Sequence, residues 1–287
     1  MVAGGAAAAA IATLINTSAV PIFDSAMLKD ARAALLTTGV ASFPGFLMRD
    51  ALAAAAQEAA TSSPKAWITD NEHNAWQTGR NSSVGETHLA NIFMRTRVAS
   101  VAYDQIGPTL RALYTSPHLI AFLSALLGRR LHRLADPLGA CSINVFREGW
   151  SHAYHFDEAE FTVTLSLQQA EGGGEFLLTP PLRSQQSDPA YGAVAAVLRA
   201  NTDHSFELLP DEQAGELPPE AVPVRAAPFA PGTLQVFAGR YSLHAVTPTS
   251  GPRERLVAVL CFASEPNVRN SAAVQEMFWG RSAKDEL

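Results

Sequence analysis

The sequence is poor in cysteine. Its 287 residues include only Cys141 and Cys261, 120 positions apart and with no CxxC pair. That spacing excludes a disulfide-stapled scaffold and a cysteine-built zinc site. Each cysteine lies in an apolar run (ACSINVF, VAVLCFA) and is expected as a buried thiol acting as a small hydrophobe, a disulfide or a functional thiol being the alternatives. Such sparing use fits a reducing compartment. Positive charge is also short: 21 Lys and Arg stand against 27 Asp and Glu, with no long basic run, so a surface for nucleic acid is not expected. No apolar stretch reaches the length of a membrane span uninterrupted, and the Ala-rich start lacks the basic flank of a signal peptide. The last four residues, 284–287, spell a lumenal retention tetrapeptide. Without a translocation signal it reads as coincidence, and a cytoplasmic location is expected. No internal repeat divides the chain, and nothing in it indicates an oligomeric state.

With 47% apolar residues the chain is ample for one large domain. After a flexible Ala-rich start over 1–20, a helical part is expected over about 21–130. Asp24 or Ser25 caps MLKDARAALLTTG, which stops at Gly39; RDALAAAAQEAATS forms a second helix. SPHLIAFLSALLG is another, with Ser116 as cap, Pro117 at its first position and Gly128 at its end. Residues 67–92 are polar and read as an irregular surface loop, in which Asn71, His73, Trp76 and Arg80 suit a substrate cover. From 131 to about 265 the pattern changes to short strand-like runs split by Gly and Pro (ACSINVF, EFTVTLSLQ, GEFLLTP, TLQVFAG, RLVAVLCFA), with one helix at 189–201 and an acidic, Pro-rich loop at 207–223. Short strands without βαβ alternation predict a mainly β fold, a jelly-roll (double-stranded β-helix, cupin-like) core flanked by α-helices.

The chemistry starts at Tyr154-His155-Phe156-Asp157. Residues i and i+2 of a strand share a face, so an HxD pair aims an imidazole and a carboxylate at one point. Alone the pair is weak evidence; a surface strand carries it as readily. His244 follows 89 residues later on another strand-like run. Two histidines and one carboxylate make the facial triad that holds Fe(II) with three positions open. Eleven residues beyond His244, Arg255 opens the apolar strand RLVAVLCF. A guanidinium entering a barrel there can grip a carboxylate with two parallel hydrogen bonds. Its neighbour Arg253 ranks second. Taken singly, His244 is equally a satisfied core histidine and Arg255 a surface ion pair; order and spacing together favour the metal site.

The pattern HFD…GGGEF…H…R on short strands resembles the 2-oxoglutarate/Fe(II)-dependent oxygenases. From about residue 90 onward, runs such as EGGGEFLLTPPLR and LQVFAGRYSLHAVTPTSGPRERLVAVL are similar to the subgroup of free-amino-acid halogenases and their sister hydroxylases. The resemblance implies Fe(II), 2-oxoglutarate and O2 as cofactor and cosubstrates, with His155, Asp157 and His244 on the metal and Arg255 on the far carboxylate of 2-oxoglutarate. In the halogenases a small residue replaces the carboxylate of HxD and admits chloride. Here Asp157 fills that place, so hydroxylation of a small molecule such as a free amino acid is expected, with desaturation, cyclisation or a larger substrate as alternatives. A non-catalytic jelly-roll binding protein is the rival class.

Further residues are candidates with a plain structural alternative beside each. Asn144 can donate to the nearer end of 2-oxoglutarate, or be a strand-edge amide. Gly172-Gly173-Gly174 read as a tight turn or bulge. The segment 266–287 resembles an aromatic lid, with Trp279 over the substrate or simply docked on the core. Asp136 can face a substrate ammonium or cap a turn, and Arg95 and Arg97 are candidate partners for a substrate carboxylate.

Overall fold

The computed structural model describes residues 13–214 and 222–283. The start of the Ala-rich segment, part of the 207–223 loop and the 284–287 tetrapeptide lie outside them. The helices are α1 (Ser25–Thr38), α2 (Arg49–Ser62), α3 (Pro108–Thr115), α4 (Pro117–Leu127), α5 (Tyr191–Asn201) and α6 (Ala272–Trp279). The strands are β1 (Val40–Phe43), β2 (Trp67–His73), β3 (Met94–Val101), β4 (His132–Arg133), β5 (Cys141–Phe146), β6 (His152–His155), β7 (Phe161–Gln168), β8 (Gly172–Gly173), β9 (Phe176–Leu178), β10 (Arg225–Ala226), β11 (Leu234–Phe237), β12 (His244–Val246), β13 (Thr249–Ser250) and β14 (Arg255–Ala263). The larger, antiparallel sheet runs β1-β11-β7-β14-β5-β3-β2, with β4 on β14; the smaller runs β10-β9-β12-β6, and β13 pairs with β8. The two sheets are the halves of a jelly roll.

Helix ends follow the local chemistry. Asp24 accepts from Met27 N at 2.7 Å at the start of α1, and Gly39 ends it at φ 84°. Thr179 O lies where a Cβ on Gly39 would stand, so only glycine fits. Ser116 accepts from His118 N, Pro117 opens α4, and Gly128 closes it at φ 67°. No single helix among the described residues is long and apolar enough to cross a membrane.

The large sheet is covered on one face and hollow behind the other, and its strands alternate accordingly. On β14, Leu256, Ala258, Leu260 and Phe262 join the main core with α3 and α4 residues such as Leu110, Phe122 and Leu126. The intervening Arg255, Val257, Val259 and Cys261 line a cavity. On β5, Cys141, Ile143 and Val145 face the core, while Ser142, Asn144 and Phe146 face the cavity; on β7, Val163 and Leu165 alternate with Thr162 and Thr164. The period of two thus sorts packing residues from site residues. Cys141 and Cys261 are buried free thiols, and burial raises the pKa of both.

The expected loop over 67–92 is partly strand. Trp67–His73 pairs antiparallel with β3 along its whole length, from Trp67 opposite Ser100 to His73 opposite Met94. Its polarity misleads because β2 is an edge: only Thr69 and His73 point inward, and exposed charges on an edge discourage further pairing. Gly172 and Gly173 form β8 and Gly174 follows it, with Gly173 and Gly174 at φ 62° and 68°. A Cβ on Gly174 would stand 2.7 Å from Arg255 Cδ, so this glycine leaves room for that side chain.

Candidate metal centre and its cavity

His155 is the last residue of β6 and His244 the first of β12, and the two face each other across that antiparallel pair. Asp157 lies just beyond β6, its N–H bonded to Gly239 O at 3.0 Å. The ligand atoms of the three converge within 4.8 Å, and Asp157 Oδ1 stands 3.4 Å from Nε2 of each histidine. His155 Nδ1 lies 2.8 Å from Ala153 O and His244 Nδ1 2.9 Å from Ser242 O. A carbonyl only accepts, so each Nδ1 carries the proton and each Nε2 lone pair points at the shared centre. Burial lowers the His155 pKa, and the facing His244 adds to this, so the ring stays in the neutral, ligating form. Burial opposes ionisation of Asp157, but His244 and His155 outweigh it and hold the carboxyl well below its usual range.

One oxygen of Asp157 is taken. Thr162 Oγ1 donates to Oδ2 at 2.7 Å, which leaves Oδ1 for a metal. Gly239 lies against the same oxygen, where a Cβ would overlap it. Two histidines and one carboxylate oxygen, with open space before them, fit a divalent iron ion.

The cavity encloses about 950 Å³ of non-protein space, part of it open to solvent. Arg255 lies in its wall, 5% exposed, between the rings of Phe146 and Phe229. Among the described residues it has no hydrogen-bond or ion-pair partner, and burial pushes its pKa down to about 10. A buried, unpaired guanidinium is costly and calls for an anion. Asn144 lines the same wall and accepts from Ser100 Oγ at 3.2 Å, which turns its amide nitrogen toward the space. The donor set therefore fits a dicarboxylate with one end at the metal and the other at Arg255. Arg253, by contrast, donates to Gln169 O and Ala170 O outside the cavity.

Trp279 lines the cavity with Phe278, both from α6, and packs its ring against Gly139. Helix α6 is anchored at both ends. Its cap, Ser271, donates from N and Oγ to the Glu158 carboxylate, and Met277 O accepts from Thr69 Oγ1 at 2.6 Å. The ionic candidates for a substrate are elsewhere. Asp136 is buried as a turn cap: Oδ1 accepts from Leu138 N and Gly139 N, and Oδ2 from Asn270 N, which leaves it no part in the cavity wall. Arg95 and Arg97 occupy the outward parity of β3 and both pair with Asp70, Arg97 also lying over Trp150.

Other side chains crowd the centre. His152 stacks on His155 at 3.9 Å between ring centroids, and His73 meets both rings edge-on. Gln77 lines the cavity from a turn where its own φ is 55°, donating to Phe156 O at 2.9 Å. Nothing in the sequence marks Gln77. Of the supposed cover, Asn71 is exposed, Trp76 docks on Tyr191, and Arg80 pairs with Glu86.

No protein-family profile matches the sequence, and no curated protein sequence does. Solved structures do match. The non-heme alpha ketoglutarate dependent epimerase SnoN from nogalamycin biosynthesis aligns at TM-score 0.57 and 18% identity over 84% of each chain. The carbocyclase SnoK of the same biosynthesis aligns at 0.53 and 17%, over 90% of this chain and 94% of its own. An oxidoreductase of the 2OG-Fe(II) oxygenase family from Burkholderia pseudomallei aligns at 0.50 and 16%, over 84% and 92%. These neighbours do not extend to the halogenase subgroup that the sequence resembles. At such identities the likeness speaks for architecture, and the chain has the jelly-roll fold of the 2-oxoglutarate/Fe(II)-dependent oxygenases.

Proposed function

We propose that this chain is an Fe(II)- and 2-oxoglutarate-dependent oxygenase acting on a small molecule. One observation carries the reading: the His155–Asp157–His244 centre and the unpaired, buried Arg255 share one cavity. His155, Asp157 and His244 would hold the iron, and Arg255 with Asn144 would hold 2-oxoglutarate. When bound, this pair with O2 supplies oxidative chemistry at a C–H bond: one oxygen atom enters the product as hydroxyl, the other enters succinate, and CO2 leaves.

The chain's own residues account for the rest. Ala153 O and Ser242 O fix the tautomers of the two histidines, and Thr162 turns Asp157 so that one oxygen faces the metal. The aromatic walls and α6 limit water around the reacting bond. Hydroxylation is favoured over halogenation because Asp157 occupies the place a halide would need. The names of SnoN and SnoK, an epimerase and a carbocyclase, make hydrogen abstraction with a different ending the second reading. A free amino acid, the substrate class the sequence suggests, finds weak support, because Asp136, Arg95 and Arg97 are engaged elsewhere.

The test is anaerobic titration of the purified protein with Fe(II) and then 2-oxoglutarate. One equivalent of each should bind and give a visible charge-transfer band, absent in His155→Ala and His244→Ala. Full iron occupancy in both variants would sink the assignment.

A further inference from the structure

The cavity that remains once the centre and Arg255 are committed limits what substrate can enter, an inference that rests on the oxygenase reading above. Among the described residues lining it, only Asp157, Glu158 and Arg255 are charged. Asp157 serves the metal, and Arg255 faces the cosubstrate. The charges of a ferrous ion, Asp157, 2-oxoglutarate and Arg255 cancel, so the filled centre offers no excess charge to a substrate. Glu158 is occupied at both oxygens by Ser271, 2.9 Å away through N and through Oγ, and this contact caps α6. A substrate carboxylate would therefore enter without a cation, and an ammonium would compete with the helix cap. Burying an ion unpaired is costly.

What the cavity does offer is neutral. Three of its lining side chains each carry a buried polar atom without a hydrogen-bond partner: Trp279 Nε1, Gln77 Oε1 and His152 Nε2. His152 is 7% exposed and stacks on His155. Leaving such groups unsatisfied costs about 1–3 kcal/mol each, so a ligand that meets them gains affinity. Gln77 is held in position at φ 55°, backbone strain that a non-glycine residue keeps only where its surroundings impose it. Beside these atoms Val274 and Phe278 present apolar surface from α6.

We propose that the substrate is an uncharged, largely apolar molecule carrying an oxygen acceptor for Trp279 Nε1 and a hydroxyl or N–H donor for Gln77 Oε1. His152 completes the polar contacts from the side of the metal centre. Trp279 and Gln77 are then the residues that set specificity, one from the C-terminal helix and one from the turn after β2. The requirement for a neutral substrate follows from side chains that face the cavity, not from the net charge of the chain.

The test uses the anaerobic Fe(II)–2-oxoglutarate protein and follows the shift of its visible band as compounds are added. The probes are free phenylalanine, tyrosine and leucine, the N-acetyl methyl ester of each, and a set of neutral hydroxylated aromatic compounds. Neutral members should bind at least about tenfold tighter than the zwitterions, since an unpaired ion loses more than an unmade neutral hydrogen bond. Trp279→Phe keeps the ring and removes the donor; it should weaken the tightest neutral probe by about tenfold while the band itself stays. Free amino acids binding as tightly as their esters, or no neutral compound shifting the band, overturns the inference. An unchanged affinity in Trp279→Phe overturns the part given to Trp279. A protein that shows no band fails the oxygenase reading instead, so the two failures are distinguishable.

Discussion

Replacing Arg255 by leucine should have effects of opposite sign on the empty and the loaded protein. The guanidinium is 5% exposed, and burial, which disfavours its charge, pushes its pKa well down from the usual arginine range to about 10. At about 1.4 kcal/mol for each tenfold change, that corresponds to about 3 kcal/mol against the charged form at neutral pH. Leucine removes this cost and keeps apolar contact with Phe146 and Phe229, while losing two cation–π contacts worth about 0.5–2 kcal/mol each. The metal-free variant should therefore be as stable as the parent or slightly more so. Cosubstrate binding runs the other way, because a buried carboxylate left unpaired costs about 2–5 kcal/mol. The Kd for 2-oxoglutarate should rise at least about 30-fold. Calorimetric or spectroscopic titration under anaerobic conditions reads the affinity, and thermal unfolding of the metal-free protein reads the stability. Iron affinity should change little, since Arg255 touches no ligand. A Kd within about threefold of the parent, or a Tm of the empty variant lowered by many degrees, would refute the reasoning.

Three other outcomes follow from the centre. Thr162→Val deletes the hydroxyl that holds Asp157 Oδ2 and should weaken iron binding by about 10–100-fold, read by metal titration; unchanged affinity would mean that Asp157 is oriented without it. In saturating chloride or bromide the parent enzyme should give no halogenated product by mass spectrometry, because Asp157 fills the halide position, and any chlorinated product would show that role to be wrong. His73 is buried with its pKa lowered to about 4 by burial and by His155. Its unfolded form binds a proton first as pH falls, so its stability contribution is complete above about 6.5 and is lost between about 6.5 and 4. Chemical denaturation across that window should show a steeper loss in the parent than in His73→Gln, and equal slopes would remove His73 as a cause.

The sequence by itself determined the local and the periodic. Asp24, Ser116, Gly39 and Gly128 set helix ends through caps whose chemistry is complete within a few residues. Short apolar runs between Gly and Pro, such as RLVAVLCFA and ACSINVF, marked strands, and the HxD pair with a distant histidine and arginine marked the centre, because residue type and spacing alone limit what such groups can do. Only the tertiary structure decided which face of each strand is hollow. Arg95 and Arg97 were candidates for a substrate carboxylate, yet their parity on β3 turns them outward to Asp70, while Arg255 turns inward. Asp136 read equally as a partner for an ammonium or as a turn cap, and it is the cap, spent on three backbone amides, one of them from Asn270, 134 residues away. Gln77 enters the cavity through a single left-handed backbone angle that no pattern announces. Charge in a sequence says what a side chain can bind; the covering of one face of the large sheet by helices, and the cavity left between its other face and the smaller sheet, decide which side chains are free to bind it.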